Sequence, residues 1–170
     1  MNILDYIGFF GPLILFISTI ILLIKKSTLL YIYIIGMFLN SILNYVLKGA
    51  IREPRPSEDI HIFNMELNSS SMTGKRLGFD RFGMPSGHSQ SVFFSLIFIY
   101  LTFKNAKITI FYLIISLLTI YQRVKFKNHT ISQVVAGLFV GSLFGAALYN
   151  YGKNLTKGII LEKSDDNALS

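Results

Sequence analysis

Gly83-Met84-Pro85-Ser86-Gly87-His88-Ser89-Gln90 leads into an uncharged run that continues to Phe103. Small residues thus end in a histidine where a hydrophobic helix should begin. Proline is tolerated at a helix start and serine is a favoured N-cap, so Pro85 and Ser86 read as a helix opening. The free N–H groups of such an opening form a natural anion site. His88, in the first turn, can hold or donate a proton beside a bound anion. Taken alone, the same residues also fit a loop cap with an incidental histidine.

Four more uncharged runs surround this one, at residues 6–24, 28–47, 108–121 and 130–151. The first two match the ~20 residues a helix needs to cross the hydrocarbon core. Residues 89–103 and 108–121 are shorter but gain length from uncharged flanks. The 170-residue chain is 52% hydrophobic and only 15% charged, with a mean hydropathy of +0.52. That composition is too apolar for an ordinary soluble domain of this size. The expectation is an all-α integral membrane bundle of about five transmembrane helices. Residues 1–151 would form one embedded domain and residues 152–170 a frayed polar tail. The first run lacks a preceding basic segment and is followed by Lys25-Lys26, unlike a cleaved signal peptide. Without cysteine, neither a disulfide framework nor a thiolate metal site is possible.

One long connection, residues 49–84, carries acids, bases and Asn68-Ser69-Ser70-Ser71; loops of this length are usually functional. Asn40, Asn44 and Lys48 share one face of the second span and should point into the bundle. Gly137, Gly141 and Gly145 recur every four residues, which suits close helix approach within the bundle or at a dimer seam. The triplets starting at Asn68, Asn128 and Asn154 fit the glycosylation pattern, a short match that says little by itself. Alternating helix ends put seven basic residues on the side of Lys25, Lys26, Lys104 and Lys107. The other side holds nine, or six once Lys48, Arg55 and Arg123 are set aside as site candidates. The small remaining bias points to a cytosolic carboxyl terminus, with the long loop lumenal or extracellular.

Three clusters fall on that loop side, each at the end of a span. They are Lys48-Gly-Ala-Ile-Arg-Glu-Pro-Arg55-Pro56, then Pro85-Ser86-Gly87-His88, then Arg123-Val-Lys-Phe-Lys-Asn-His129-Thr-Ile-Ser-Gln133. Arginine forks bind phosphate oxygens bidentately and lysine adds a point charge. Two histidines can divide the work of nucleophile and general acid. Singly, Lys48 and Arg55 could be interfacial anchors, Arg123 a topology charge and His129 a loop residue. Their joint placement points to phosphoryl chemistry. The net charge of +7 suits an anionic substrate.

The clusters resemble the three motifs of the type 2 phosphatidic acid phosphatase superfamily. That pattern is Lys-x6-Arg-Pro, Pro-Ser-Gly-His, and Ser-Arg followed by a His six residues after the Arg and an Asp four further on. The resemblance covers residues 40–145. Gln122 replaces the serine and Gln133 the aspartate. Leu43, Asn44, Leu47, Glu53-Pro-Arg-Pro56, the full run Gly83–Gln90 and His129-Thr-Ile-Ser-Gln-Val134 are most similar to the dolichyldiphosphatase branch, where glutamine stands at the aspartate position. Gly87 departs from that branch, which usually has serine there.

The resemblance implies a haloperoxidase-like helical membrane fold with its site at the lipid–water boundary. It implies that His129 attacks phosphorus, that His88 protonates the leaving oxygen and that Gln133 orients His129. Lys48, Arg55, Ser86, the Gly87 N–H and Arg123 would hold the phosphoryl oxygens. No cofactor or metal is implied. The expected partners are a lipid phosphate or diphosphate and the bilayer, with no nucleic acid. An isoprenoid diphosphate such as dolichyl diphosphate is the leading substrate, in an endoplasmic-reticulum-like membrane. A broader phosphatase acting on phosphatidate or undecaprenyl diphosphate, and a silent lipid-phosphate binder lacking the aspartate charge, are the alternatives. Soluble haloperoxidases share the motifs but not the five apolar runs.

Overall fold

The computed structural model describes residues 2–56 and 78–166. The described residues hold five α-helices: α1 (Ile3–Leu23), α2 (Ser27–Ile51), α3 (Gly87–Phe103), α4 (Ala106–Lys125) and α5 (Ile131–Asp166), with a short 3-10 turn at Gly78–Arg81 before α3. The acids Glu58, Asp59 and Glu66 and the Asn68 triplet lie outside the described residues. Among the described residues, four helices are long and apolar enough to cross a membrane: Ile3–Leu23, Ser27–Ile51, Ala106–Lys125 and the Ile131–Lys157 part of α5.

The short fourth run is a 20-residue helix, because Asn105 caps it through Lys107 N–H (3.0 Å) and Ile108 N–H (3.2 Å). The exception in length is α3, at 17 residues. At 1.5 Å per residue it rises about 26 Å, less than the ~30 Å hydrocarbon core. Its position accounts for this, since α3 contacts all four other helices. Residues Val92, Phe93, Phe94, Phe98 and Ile99 are buried around its whole girth, as expected for a central helix. Most exposed apolar side chains come from the surrounding helices, among them Ile35, Phe38, Ile114, Leu117 and Leu143.

Helix α3 packs most closely on α5. A Cβ at Gly137, Gly141 or Gly145 would overlap the carbonyl of Ser86, the N-cap of α3, or of Gln90 or Phe94 within it, respectively. The four-residue glycine repeat therefore serves packing inside the bundle. Helix α5 also runs unbroken through Tyr151 to Asp166, where a frayed tail was expected. The backbone hydrogen-bond ladder carries the polar residues onward in the same helix, so the composition change at 151 does not end it.

At the loop end, Asn2 and Asp5 form a reciprocal capping box on α1. The buried Asp5 carboxylate also accepts from Lys125 Nζ at 2.6 Å, tying the start of α1 to the end of α4. Mid-bundle polar groups pair locally: Thr19 with Tyr112 at 2.9 Å and Tyr33 with Ser95 at 2.8 Å.

Candidate active site

Lys48 lies in the last turn of α2 and is only 3% exposed. Arg52 then adopts φ 53, with its N–H on the Lys48 carbonyl, and this left-handed cap ends the helix. The chain turns back over the 3-10 segment, where Gly83 N–H donates to the Glu53 carbonyl (2.7 Å) and Pro54 pairs with Phe82. That pairing fixes Arg55. Its Nη1 donates to the Asn128 carbonyl (3.2 Å) and to His129 Nε2 (2.9 Å). Its Nη2 donates to the Asp80 carbonyl (2.9 Å) and carboxylate (3.3 Å). Lys48 Nζ also donates to the Asp80 carboxylate.

The third cluster owes its spacing to one carbonyl. Arg123 O, at the end of α4, accepts from Asn128 N–H (3.0 Å) and His129 N–H (3.2 Å). This closed loop, with Lys127 at φ 52, returns His129 to the level of Arg123. Arg123 is 1% exposed. Its charge sits at the negative end of the α4 dipole, which favours a cation.

Both ring nitrogens of His129 are engaged. A guanidinium can only donate, so His129 Nε2 must accept from Arg55 and the proton resides on Nδ1. Nδ1 donates to Gln133 Oε1 at 3.2 Å. The Gln133 amide is itself fixed by neighbours of known polarity. Thr130 N–H can only donate and lies 3.2 Å from Oε1; the Pro54 carbonyl can only accept and lies 2.8 Å from Nε2. Gln133 N–H in turn donates to Thr130 Oγ1 at 3.3 Å. Thr130-Ile-Ser-Gln133 is thus a capping box that opens α5. His129 is 3% exposed. Burial, reinforced by Arg55, Arg123, Lys48 and His88, holds its pKa well below the ordinary imidazole value. The ring is therefore neutral near pH 7, with the Nε2 lone pair turned toward the cations.

The second cluster meets the third through Ser86 N–H, which donates to the Gln133 carbonyl at 2.9 Å. Ser86 is the N-cap of α3 by position, but its side chain makes no capping bond. The hydroxyl is fully buried and pairs instead with Ser89 at 3.3 Å. Pro85 precedes the cap and does not occupy the first helical position, because α3 starts at Gly87. A Cβ on Gly87 would stand 3.1 Å from Asn44 Oδ1, a tight approach. Half-buried His88 faces Phe9, with ring centroids 5.8 Å apart. The two border a cleft of about 350 Å³ whose polar wall includes Asn44, Gly87 and His88 and whose apolar wall includes Phe9, Phe10 and Leu13.

Lys48, Arg55, Arg123, His129 and Gln133 thus share one buried cluster. His88 and Gly87 face the adjoining cleft, and Ser86 reaches the cluster through its backbone. Three structural contributors were not singled out from sequence. Gln90 accepts from Asn44 (2.8 Å) and donates to Asn40 Oδ1 (2.8 Å), so it clamps α2 to α3. Asp80 sits on two of the cations. Glu53 accepts from Gln133 Nε2 at 2.8 Å. Gln90 and Glu53 stand inside or beside recognised motifs, whereas Asp80 has no local signal.

The pattern of the PAP2 superfamily matches residues 29–157. The chain belongs to this superfamily. Among curated proteins it is 30% identical over 165 residues to "Dolichyldiphosphatase 1" of Plecturocebus moloch, covering 87% of this chain and 63% of that protein. The corresponding Homo sapiens protein is 29% identical over 165 residues with the same coverages, 87% and 63%. "Dolichyldiphosphatase" of Saccharomyces cerevisiae is 32% identical over 124 residues, or 67% of this chain and 48% of the yeast protein. The chain therefore spans about 63% of the length of the dolichyldiphosphatase 1 relatives. No solved structure matches it.

Proposed function

We propose that this PAP2-superfamily protein is a membrane phosphohydrolase that removes the terminal phosphate of an isoprenoid lipid diphosphate through a phosphohistidine. One observation carries the reading: a neutral, buried His129 presents Nε2 to Arg55, with its Nδ1–H held by Gln133. An incoming phosphoryl group takes the Arg55 fork away from the ring. Lys48, Arg55 and Arg123 then neutralise its oxygens, with Ser86 and the Gly87 N–H completing the cradle. His129 Nε2 attacks the terminal phosphorus as the bond to the bridging oxygen breaks. His88 gives that oxygen its proton, and the lipid monophosphate leaves. Water, deprotonated by His88, next attacks the phosphohistidine and releases inorganic phosphate.

The cleft beside His88 supports a lipid as substrate. Its polar wall adjoins the phosphate cluster, while Phe9, Phe10 and Leu13 suit the first isoprenoid carbons. The dolichyldiphosphatase relatives favour a polyprenyl diphosphate, and the lysines at Lys25, Lys26, Lys104 and Lys107 favour a site on the opposite, lumenal or extracellular, face of an endoplasmic-reticulum-like membrane. The test is phosphate release by purified protein in detergent with chelator present. Dolichyl diphosphate, short isoprenoid diphosphates, phosphatidate and a sugar phosphate are compared. The proposal expects the isoprenoid diphosphates to be preferred without added metal. Preference for phosphatidate would replace it with a broader lipid phosphatase, and no release from any substrate with a silent binder.

A further inference from the structure

Gln133 stands where the superfamily pattern has an aspartate, and it brings no charge to His129. The charge is nevertheless close by. The amide links the ring to a carboxylate, since Oε1 accepts from His129 Nδ1 (3.2 Å) while Nε2 donates to Glu53 Oε1 (2.8 Å). The direction of this chain is not free, because Thr130 N–H and the Pro54 carbonyl admit only one amide orientation. The amide is also clamped sterically, as a Cβ on Gly83 would overlap Gln133 Oε1. Glu53 is held by its own backbone, through the Gly83 N–H (2.7 Å).

We infer that Glu53 is a positioning residue that supplies, through the Gln133 amide, the negative charge opposing the imidazolium formed when His129 attacks. This rests on His129 being the nucleophile. As the Nε2–phosphorus bond forms, positive charge spreads over the ring and the Nδ1 proton stays in place. A carboxylate on the amide N–H pulls electron density toward the amide oxygen, and hydrogen bonds in such a chain strengthen one another. The environment makes this charge useful. Arg55, Lys48, Arg123 and His88 all oppose positive charge on His129. Asp80, a further carboxylate among the described residues, is directed at Lys48 and Arg55.

The alternative is that Glu53 merely braces the α5 capping box. Glu53→Gln separates the two roles, because it keeps an acceptor for Gln133 Nε2 and removes only the charge. The inference expects kcat to fall by about tenfold to a hundredfold, the range for losing an outer partner of a functional histidine. KM should change little. The acidic limb of the pH–rate profile should move to lower pH, since losing a nearby negative charge disfavours the protonated ring. In the double variant Glu53→Gln/Gln133→Asp, the amide and carboxylate trade places. It should recover both rate and limb, and exceed Gln133→Asp alone, in which two carboxylates face each other. A Glu53→Gln variant with wild-type rate and limb would overturn the inference. So would lost rate with an unmoved limb, or a double variant no better than Gln133→Asp. Trapping with labelled substrate keeps the premise separate. Wild-type protein should carry label on His129, and Glu53→Gln should acquire it more slowly. Absence of label on wild-type His129 rejects the nucleophile itself, whatever Glu53 does.

Discussion

The two histidines sit in opposite surroundings. His129 is 3% exposed, bonded at both ring nitrogens and reached by three cations. His88 is half-buried, at the rim of a cleft, against the ring of Phe9. A nucleophile benefits from the first setting, because in-line attack tolerates little angular freedom. A proton carrier benefits from the second, because it serves first a leaving oxygen and then a water. The different environments thus suggest different roles for two identical side chains.

The largest effect should come from removing the fixed ring. His129→Ala is expected to reduce turnover to background and abolish phosphoenzyme formation in a rapid-quench experiment. Label trapped on His88 would reverse the assignment of the two histidines, and label on any other residue would reject it.

His88→Ala should cost about a hundredfold to ten-thousandfold, the usual contribution of a general acid. The loss should shrink for an aryl phosphate whose leaving group needs no proton. An equal loss on aryl and lipid substrates would show that His88 is not the proton donor.

For Gln133→Ala the expected loss is about tenfold to a hundredfold in rate. The same change removes a capping-box bond and should lower stability by about 1 kcal/mol, read as a lower melting midpoint in detergent. A stability loss with unchanged turnover would make Gln133 a cap and nothing more.

The smallest effect concerns Asp80, whose half-exposed carboxylate lies on Lys48 and Arg55 where phosphoryl oxygens should bind. Asp80→Asn should strengthen inhibition by inorganic phosphate about twofold to fivefold, in keeping with a solvent-screened ion pair. Weaker inhibition would mean that Asp80 holds the cations in place instead of competing for them.

Local patterns carried much of this in the sequence. Uncharged runs near the length of a bilayer predict helices, and the four-residue glycine repeat predicts a close helix approach. The motif spacings place Lys48, Arg55, His88, Arg123 and His129 at helix ends on one side. The spacing from Arg123 to His129 needs no distant partner, since the Arg123 carbonyl closes that loop by itself.

Other features depended on residues far apart along the chain. The short third run is central because four longer helices surround it, which no periodicity within residues 89–103 records. Ser86 makes no side-chain cap; its hydroxyl is paired with Ser89, and its N–H donates to the distant Gln133 carbonyl. Gln133 by itself reads as an aspartate site without its charge. Only the return of residues 53–55 over the start of α5 places Glu53 behind it, 80 positions away in sequence. Residue type and spacing determine which groups can ionise, donate or span the bilayer. Packing decides which of them meet, because hydrogen bonds and desolvation act through space between segments that the chain order keeps apart.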